Sequence, residues 1–207
     1  MILYGTGLSP FVRKVLVVLA EKQLPFEHVP LRFHDADADF RAASPLGKIP
    51  ALEDDGFRLA DSSAIIHYLE ARHPTPPVLP AGARDLGRAI WFDKFGDTEL
   101  FPVLIKPFVQ RVLRPKVMNL PCDEAVVDKA LTKELPPLLD HLEAQIDGPY
   151  LAGDAFGLAD ISVTVGFFNL GMAGERVDAG RWPKLADYVA ATLERPSFKA
   201  ALAARRG

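Results

Sequence analysis

Ile49-Pro-Ala-Leu-Glu53, Asp54-Asp-Gly56, Phe57-Arg-Leu-Ala60, Asp61-Ser-Ser-Ala-Ile65: two short apolar runs flank an Asp-Gly pair, and a polar stop precedes a new apolar pattern. Asp-Gly supplies the positive backbone angles that a tight hairpin turn needs, so residues 49–53 and 57–60 read as paired strands. Ser62 or Ser63 then caps a helix running through Ala71. Upstream, the apolar run 1–4 ends at Gly5 and Gly7. Ser9 precedes Pro10, an N-cap followed by proline at the first helical position. Phe11, Val12, Val15, Leu16 and Leu19 recur at three and four residues, which predicts an amphipathic helix over 10–22. Residues 26–31 fit a second strand, and 35–43 a short polar helix or loop. The first 73 residues thus alternate strand and helix.

Downstream the composition changes. Pro74, Pro76, Pro77 and Pro80 make a stiff, non-helical segment. The expected division is therefore 1–76, a proline-rich linker 77–83, and an all-helical domain 84–207. Residues 84–114 read as one long helix that Pro102 and Pro107 should kink. Val127, Leu131, Leu135, Leu138, Leu142 and Ile146 mark the next, with a bend or break expected at Pro136-Pro137. Residues 158–170 are apolar nearly all round, so periodicity permits a buried helix or strand. Residues 183–193 and 196–206 close the chain as helices.

At 207 residues the chain is one large or two small domains, by a rule of about 100–200 residues each. Its 49% apolar and 25% charged residues are ordinary for a globular protein, and its net charge of -3 leaves no basic footprint for nucleic acid. No apolar run reaches the roughly 18 residues of a membrane span, and the start lacks a secretory signal pattern, so a cytoplasmic location is expected. The five histidines are scattered, and His67 and His73 are six apart, the wrong spacing for one helical metal face; no metal is expected. The single cysteine, Cys122, rules out an internal disulfide, a dithiol redox pair and a cysteine zinc site. Any sulfur chemistry then draws its sulfur from a ligand.

Four segments together resemble the cytosolic glutathione transferase family, in a bacterial-looking, serine-type form. They are Ser9-Pro-Phe-Val-Arg-Lys-Val15; Ser44-Pro-Leu-Gly-Lys-Ile-Pro50, with Ser where the family has Asn; Asp61-Ser-Ser-Ala-Ile65; and Gly157-Leu-Ala-Asp160 with Arg181-Trp-Pro-Lys-Leu185 and Glu194-Arg-Pro-Ser-Phe198. The resemblance implies a thioredoxin-like α/β N-terminal domain, an all-α C-terminal helical bundle, glutathione as substrate and a homodimer.

Glutathione is an anionic tripeptide whose thiol must ionise to attack. Lowering a thiol from about 8.5 to about 6.5 takes about 2.7 kcal/mol. One charge-assisted hydrogen bond supplies roughly 1.5–3 kcal/mol and a helix N-terminus about 0.3–1. Ser9, a hydroxyl at a helix head, meets that need; its plainer role is an ordinary N-cap. Tyr4 is the runner-up, since tyrosine-type members place their donor at the end of the first strand; its plainer role is core packing. The resemblance implies that Ile49–Pro50 is cis and presents the Ile49 main chain to the cysteinyl part, although only about 5–6% of X–Pro bonds are cis. Asp61 can pair with the γ-glutamyl amine and Ser62 can bind its carboxylate at a helix start. Lys48 suits the glycine carboxylate, with His34 and Arg32 behind it. The small hydrophobic electrophile is expected between the domains, near Trp91, Phe92, Phe95 or Phe101, aromatics that core packing would also explain. Gly157-Leu-Ala-Asp160 reads as a weakened capping box with a purely structural role. Cys122, near a helix start, is expected to have a somewhat lowered pKa and no part in the chemistry. Two alternatives remain: a non-catalytic module of the same fold that binds or regulates, and a glutathione-dependent isomerase or dehalogenase. The isomerase-type members resemble Ser-Ser-Cys where Leu8-Ser9-Pro10 stands here.

Overall fold

The computed structural model describes residues 1–31 and 38–203. By packing, the chain divides into one unit of Met1–Leu79 with Arg195–Gly207, and a second of Pro80–Glu194.

The first unit runs β1 (Ile2–Tyr4), α1 (Pro10–Glu21), β2 (Glu27–Val29), α2 (Ala38–Ala43), β3 (Ala51–Asp54), β4 (Phe57–Ala60) and α3 (Ser62–Arg72). The sheet order is β2-β1-β3-β4, with β1 parallel to β2 and antiparallel to β3. This mixed sheet with helices fits the expected thioredoxin-like architecture. The hairpin forms as predicted: Asp55 and Gly56 take φ of 49° and 82°, and Asp54 pairs with Phe57. Leu3, Val12, Val15, Leu19, Leu52, Ile65, Ile66 and Leu69 are fully buried and form the core between sheet and helices. The cap of α3 is Asp61, one residue before the two serines proposed for it. Its Oδ1 accepts from the N–H groups of Ser63 and Ala64, both at 3.0 Å.

The proline-rich segment is not a loose spacer. Lys22, whose side chain is fully buried at the end of α1, pairs with Glu70 at 2.6 Å and donates to the carbonyls of His73 and Pro76. Glu70 in turn accepts from the N–H groups of Val78 and Leu79. The chain is thereby fastened to the first unit as far as Leu79.

The second unit contains α4 (Ala83–Phe95), α5 (Phe101–Phe108), α6 (Arg114–Lys116), α7 (Glu124–Lys129), α8 (Leu135–Gln145), α9 (Leu158–Met172) and α10 (Pro183–Leu193). Wide π turns over Gly96–Leu100, Val109–Leu113 and Ala130–Glu134 join α4 to α5, α5 to α6 and α7 to α8. Each closes on the residue just before a proline: Phe101 N–H reaches Gly96 O, Arg114 N–H reaches Val109 O, and Leu135 N–H reaches Ala130 O. A proline ring collides with the carbonyl four residues back, and an extra residue in the turn moves that carbonyl aside. The helix therefore carries on through Pro136-Pro137, where a bend or break was expected, and the inserted residue shifts its apolar face. Leu135, Leu139 and Leu142 are buried, whereas Leu131 and Leu138 are only half-buried.

Residues 158–172 are a helix, buried on nearly every side. α4 and α5 pack against it, and a side chain at Gly96 would sit 2.9 Å from the Ser162 carbonyl. The last helix, α11 (Pro196–Ala203), packs on α1. Glu21 holds it there, accepting from Arg195 at 3.1 Å and from the Ser197 hydroxyl at 2.6 Å.

Asp160 does more than half of a capping box. It accepts from Gly157 N–H at 2.9 Å, Leu151 N–H at 2.8 Å and the Tyr188 hydroxyl of α10. Burial pushes its pKa above the ordinary 3.8, against the pull of these three donors. Asp160→Asn is expected to cost about 1–3 kcal/mol, because an amide cannot accept on both sides. A raised folded pKa means stability that is complete at acid pH and is lost as pH rises through it. Denaturant titration across about pH 4–7 should show the wild-type advantage over Asp160→Asn shrinking toward neutrality.

Candidate functional site

Strand register gathers the predicted residues of the first unit. Tyr4, Ala51 and Ala60 form one cross-strand row. Gly5 follows the first, Pro50 precedes the second and Asp61 follows the third, so all three leave the sheet at the same end. Gly5, with φ of 139°, draws the loop still closer. A Cβ there would lie 2.5 Å from Val12 Cγ2 and 3.2 Å from Ile49 Cβ, so only glycine lets the loop after β1 meet both α1 and the Ile49–Pro50 segment.

Ser9 is the N-cap of α1, its Oγ accepting from Val12 N–H at 3.4 Å, a long bond that leaves the hydroxyl hydrogen available. Tyr4 is 4% exposed and packs with Phe40, Ala43 and Ala51; the ring centroids of Tyr4 and Phe40 are 6.2 Å apart.

The Ile49–Pro50 peptide is cis, as the resemblance implies; so is Thr75–Pro76, which the sequence reading did not address. Ser44, standing where the family has Asn, closes the loop before it. Its Oγ accepts from Lys48 N–H at 2.9 Å and donates to Lys48 O at 2.7 Å. Lys48 is exposed, and its ammonium forms no ion pair among the described residues. Arg32 and His34 lie outside the described residues.

Asp61 has φ of 83°, a strained value for a residue with a side chain, and such strain concentrates where geometry is over-determined. Asp61 is exposed; its Oδ1 is occupied by the helix cap, and its Oδ2 has no bond among the described residues. Ser62 is the first residue of α3, 2% exposed, with its N–H at the open end of the helix. An ammonium acceptor and an anion donor therefore stand side by side. Arg13, within the Ser9–Val15 segment, and His28 bond the carbonyls of the loop before Ser9, and neither was given a role from the sequence. A charged residue amid the apolar face of α1, one turn after Ser9, was the available signal.

In the second unit, Phe92 is buried, Phe95 nearly so, and Trp91 is 47% exposed with its ring stacked on Phe95 at 5.3 Å. Arg181-Trp-Pro-Lys-Leu185 proves to be a docking hook: Trp182 donates to Asp140 at 2.6 Å, and Glu143 accepts from Lys184 and Leu185 N–H groups at the start of α10. Among the described residues, no group of three or more His, Cys, Asp or Glu side chains could hold a metal ion, and no helix is long and apolar enough to cross a membrane.

The model of the glutathione S-transferase N-terminal domain matches residues 3–77, and that of the C-terminal domain matches residues 114–205. The chain belongs to the glutathione S-transferase family. Among its relatives in that family is a probable glutathione S-transferase, GSTF2, of Oryza sativa subsp. japonica, 33% identical over 95% of this chain and 93% of its own. A glutathione S-transferase structure from Rhodospirillum rubrum F11 superposes with a TM-score of 0.87 at 30% identity, covering 97% of this chain and 91% of that one. A maleyl pyruvate isomerase, described as a bacterial zeta-class glutathione S-transferase, matches at 0.78 and 27%, covering 100% and 98%.

Cys122 departs from its expected chemistry. Burial, then its hydrogen bond to Glu124 at 3.2 Å, pushes the thiol upward, not downward. Its alkylation rate should rise with pH along a curve whose midpoint lies above 9.0, so iodoacetamide labels it slowly at neutral pH. Fast labelling at neutral pH contradicts this.

Proposed function

We propose that this glutathione transferase binds glutathione on its first unit, holds the sulfur as thiolate with the Ser9 hydroxyl, and transfers it to a small hydrophobic electrophile. The carrying observation is the gathering of Ser9's loop, the Ile49–Pro50 segment and Asp61-Ser62 at one end of the sheet. Each part of the tripeptide then has a partner of the right chemistry. The γ-glutamyl amine meets Asp61 Oδ2, and its carboxylate meets the N–H and hydroxyl of Ser62. The cysteinyl backbone pairs with the main chain of Ile49 beside Pro50 in the manner of an added strand. The glycine carboxylate pairs with Lys48.

Ser9 is favoured over Tyr4 because its hydroxyl sits at a helix N-terminus, where hydroxyl and dipole act together, whereas the Tyr4 ring belongs to the core around Phe40. Once the thiolate is formed, the rest of the rate comes from holding two reactants together. A homodimer and a cytoplasmic detoxifying role follow the family resemblance.

Ser9→Ala should lower turnover of a generic aryl halide by about tenfold or more, the loss of one charge-assisted bond, with glutathione binding largely kept. Steady-state kinetics beside retention on glutathione resin check this. Unchanged turnover transfers the role to Tyr4; failure to bind the resin favours the non-catalytic module.

A further inference from the structure

The loop that leads from β1 into α1 has every carbonyl from residue 5 to residue 9 turned to a donor inside the protein. His28 Nε2 lies 2.8 Å from Gly5 O, Ser9 N–H donates to Thr6 O at 3.0 Å, and Arg13 N–H donates to Ser9 O at 3.0 Å. Arg13 Nη1 spans the two that remain, Gly7 O at 2.8 Å and Leu8 O at 3.1 Å. The two side-chain donors come from outside the loop, one from β2 and one from the second turn of α1. Arg13 is 1% exposed. Burying a guanidinium is costly unless it has good acceptors, and α1 does not need it to begin, since Pro10 and the Ser9 hydroxyl already start the helix.

An anion beside a backbone loop is repelled by carbonyl oxygens and held by N–H and O–H groups. Resting on the reading of Ser9 above, we propose that Arg13, assisted by His28, is a positioning residue for the sulfur site. It turns the loop carbonyls into the protein so that only donors border the thiolate. Arg13 acts through the loop, and His28, with its proton on Nε2, secures the first carbonyl in the same way. Without them, the carbonyls of Gly7 and Leu8 are free to rotate toward the sulfur and oppose its ionisation.

The test uses the full-length protein and its Arg13→Met, Arg13→Lys, His28→Ala and Ser9→Ala variants. Ionisation of bound glutathione is followed by ultraviolet thiolate absorbance across pH, beside kcat, KM for glutathione and thermal unfolding. Arg13→Met is expected to raise the midpoint of the bound thiol by about one pH unit, which from about 6.5 lowers the thiolate fraction, and kcat with it, about threefold at neutral pH. That loss should vanish at alkaline pH, and KM should change less than about threefold. Arg13→Lys, which keeps a donor but not the planar fork, should fall between. A folded Arg13→Met with the wild-type midpoint overturns the proposal and leaves the Ser9 reading intact. If Arg13→Met does not fold, wild-type midpoints in both Arg13→Lys and His28→Ala overturn it instead. A wild-type protein that binds glutathione without lowering its thiol midpoint contradicts the Ser9 reading itself, and the proposal falls with it.

Discussion

The site depends on a close approach that only glycine permits. Gly5 leaves β1 with φ of 139° and lies where any Cβ would press into Val12 and Ile49. Through that contact the head of α1 and the segment before β3 become one wall. Sheet register does the rest, because Tyr4, Ala51 and Ala60 stand in one row and their neighbours emerge together. A hydroxyl, the main chain beside Pro50 and an acid at a helix start, scattered over more than fifty residues of sequence, thereby share one end of the sheet.

The proposed thiolate at this edge rests on electrostatics. On the proposed reading, Ser9 presents its hydroxyl at the N-terminus of α1, while Arg13 and His28 hold loop carbonyls that would oppose a negative charge. The same unit fixes its own far side with Lys22 and Glu70, which bind the end of α1 to the proline-rich segment. The single cysteine has no share in this. Cys122 lies in the second unit with its thiol pushed upward by burial and Glu124, which fits a protein that borrows its sulfur from a ligand.

Local signals in the sequence were read well where one residue type answers one local need. Asp55-Gly56 specified its turn, Ser9-Pro10 its helix start, and the periodicity of residues 10–22 its helix. What the local signals did not show depends on partners far along the chain or on how a helix accommodates proline. Pro136-Pro137 looked like a break because the wide turn at Ala130–Glu134 has no sequence signature of its own. The attachment of the last helix to α1 rests on Glu21 meeting Arg195 and Ser197, a pairing that no spacing reveals. Asp160 looked like a local cap, yet it also binds Leu151 and Tyr188. At the site, the motifs named Ser9, Ile49, Pro50, Asp61 and Ser62, but Arg13 and His28 emerged only once the loop carbonyls could be followed to their donors.

The central claim is that the sulfur of glutathione is ionised by Ser9 at the head of α1. A crystal structure of the protein with glutathione bound tests it most directly. The account predicts the sulfur within hydrogen-bonding distance of Ser9 Oγ, with no loop carbonyl from residues 5–9 facing it. A sulfur placed against the Tyr4 hydroxyl, or bordered by the Gly7 or Leu8 carbonyl, would contradict it.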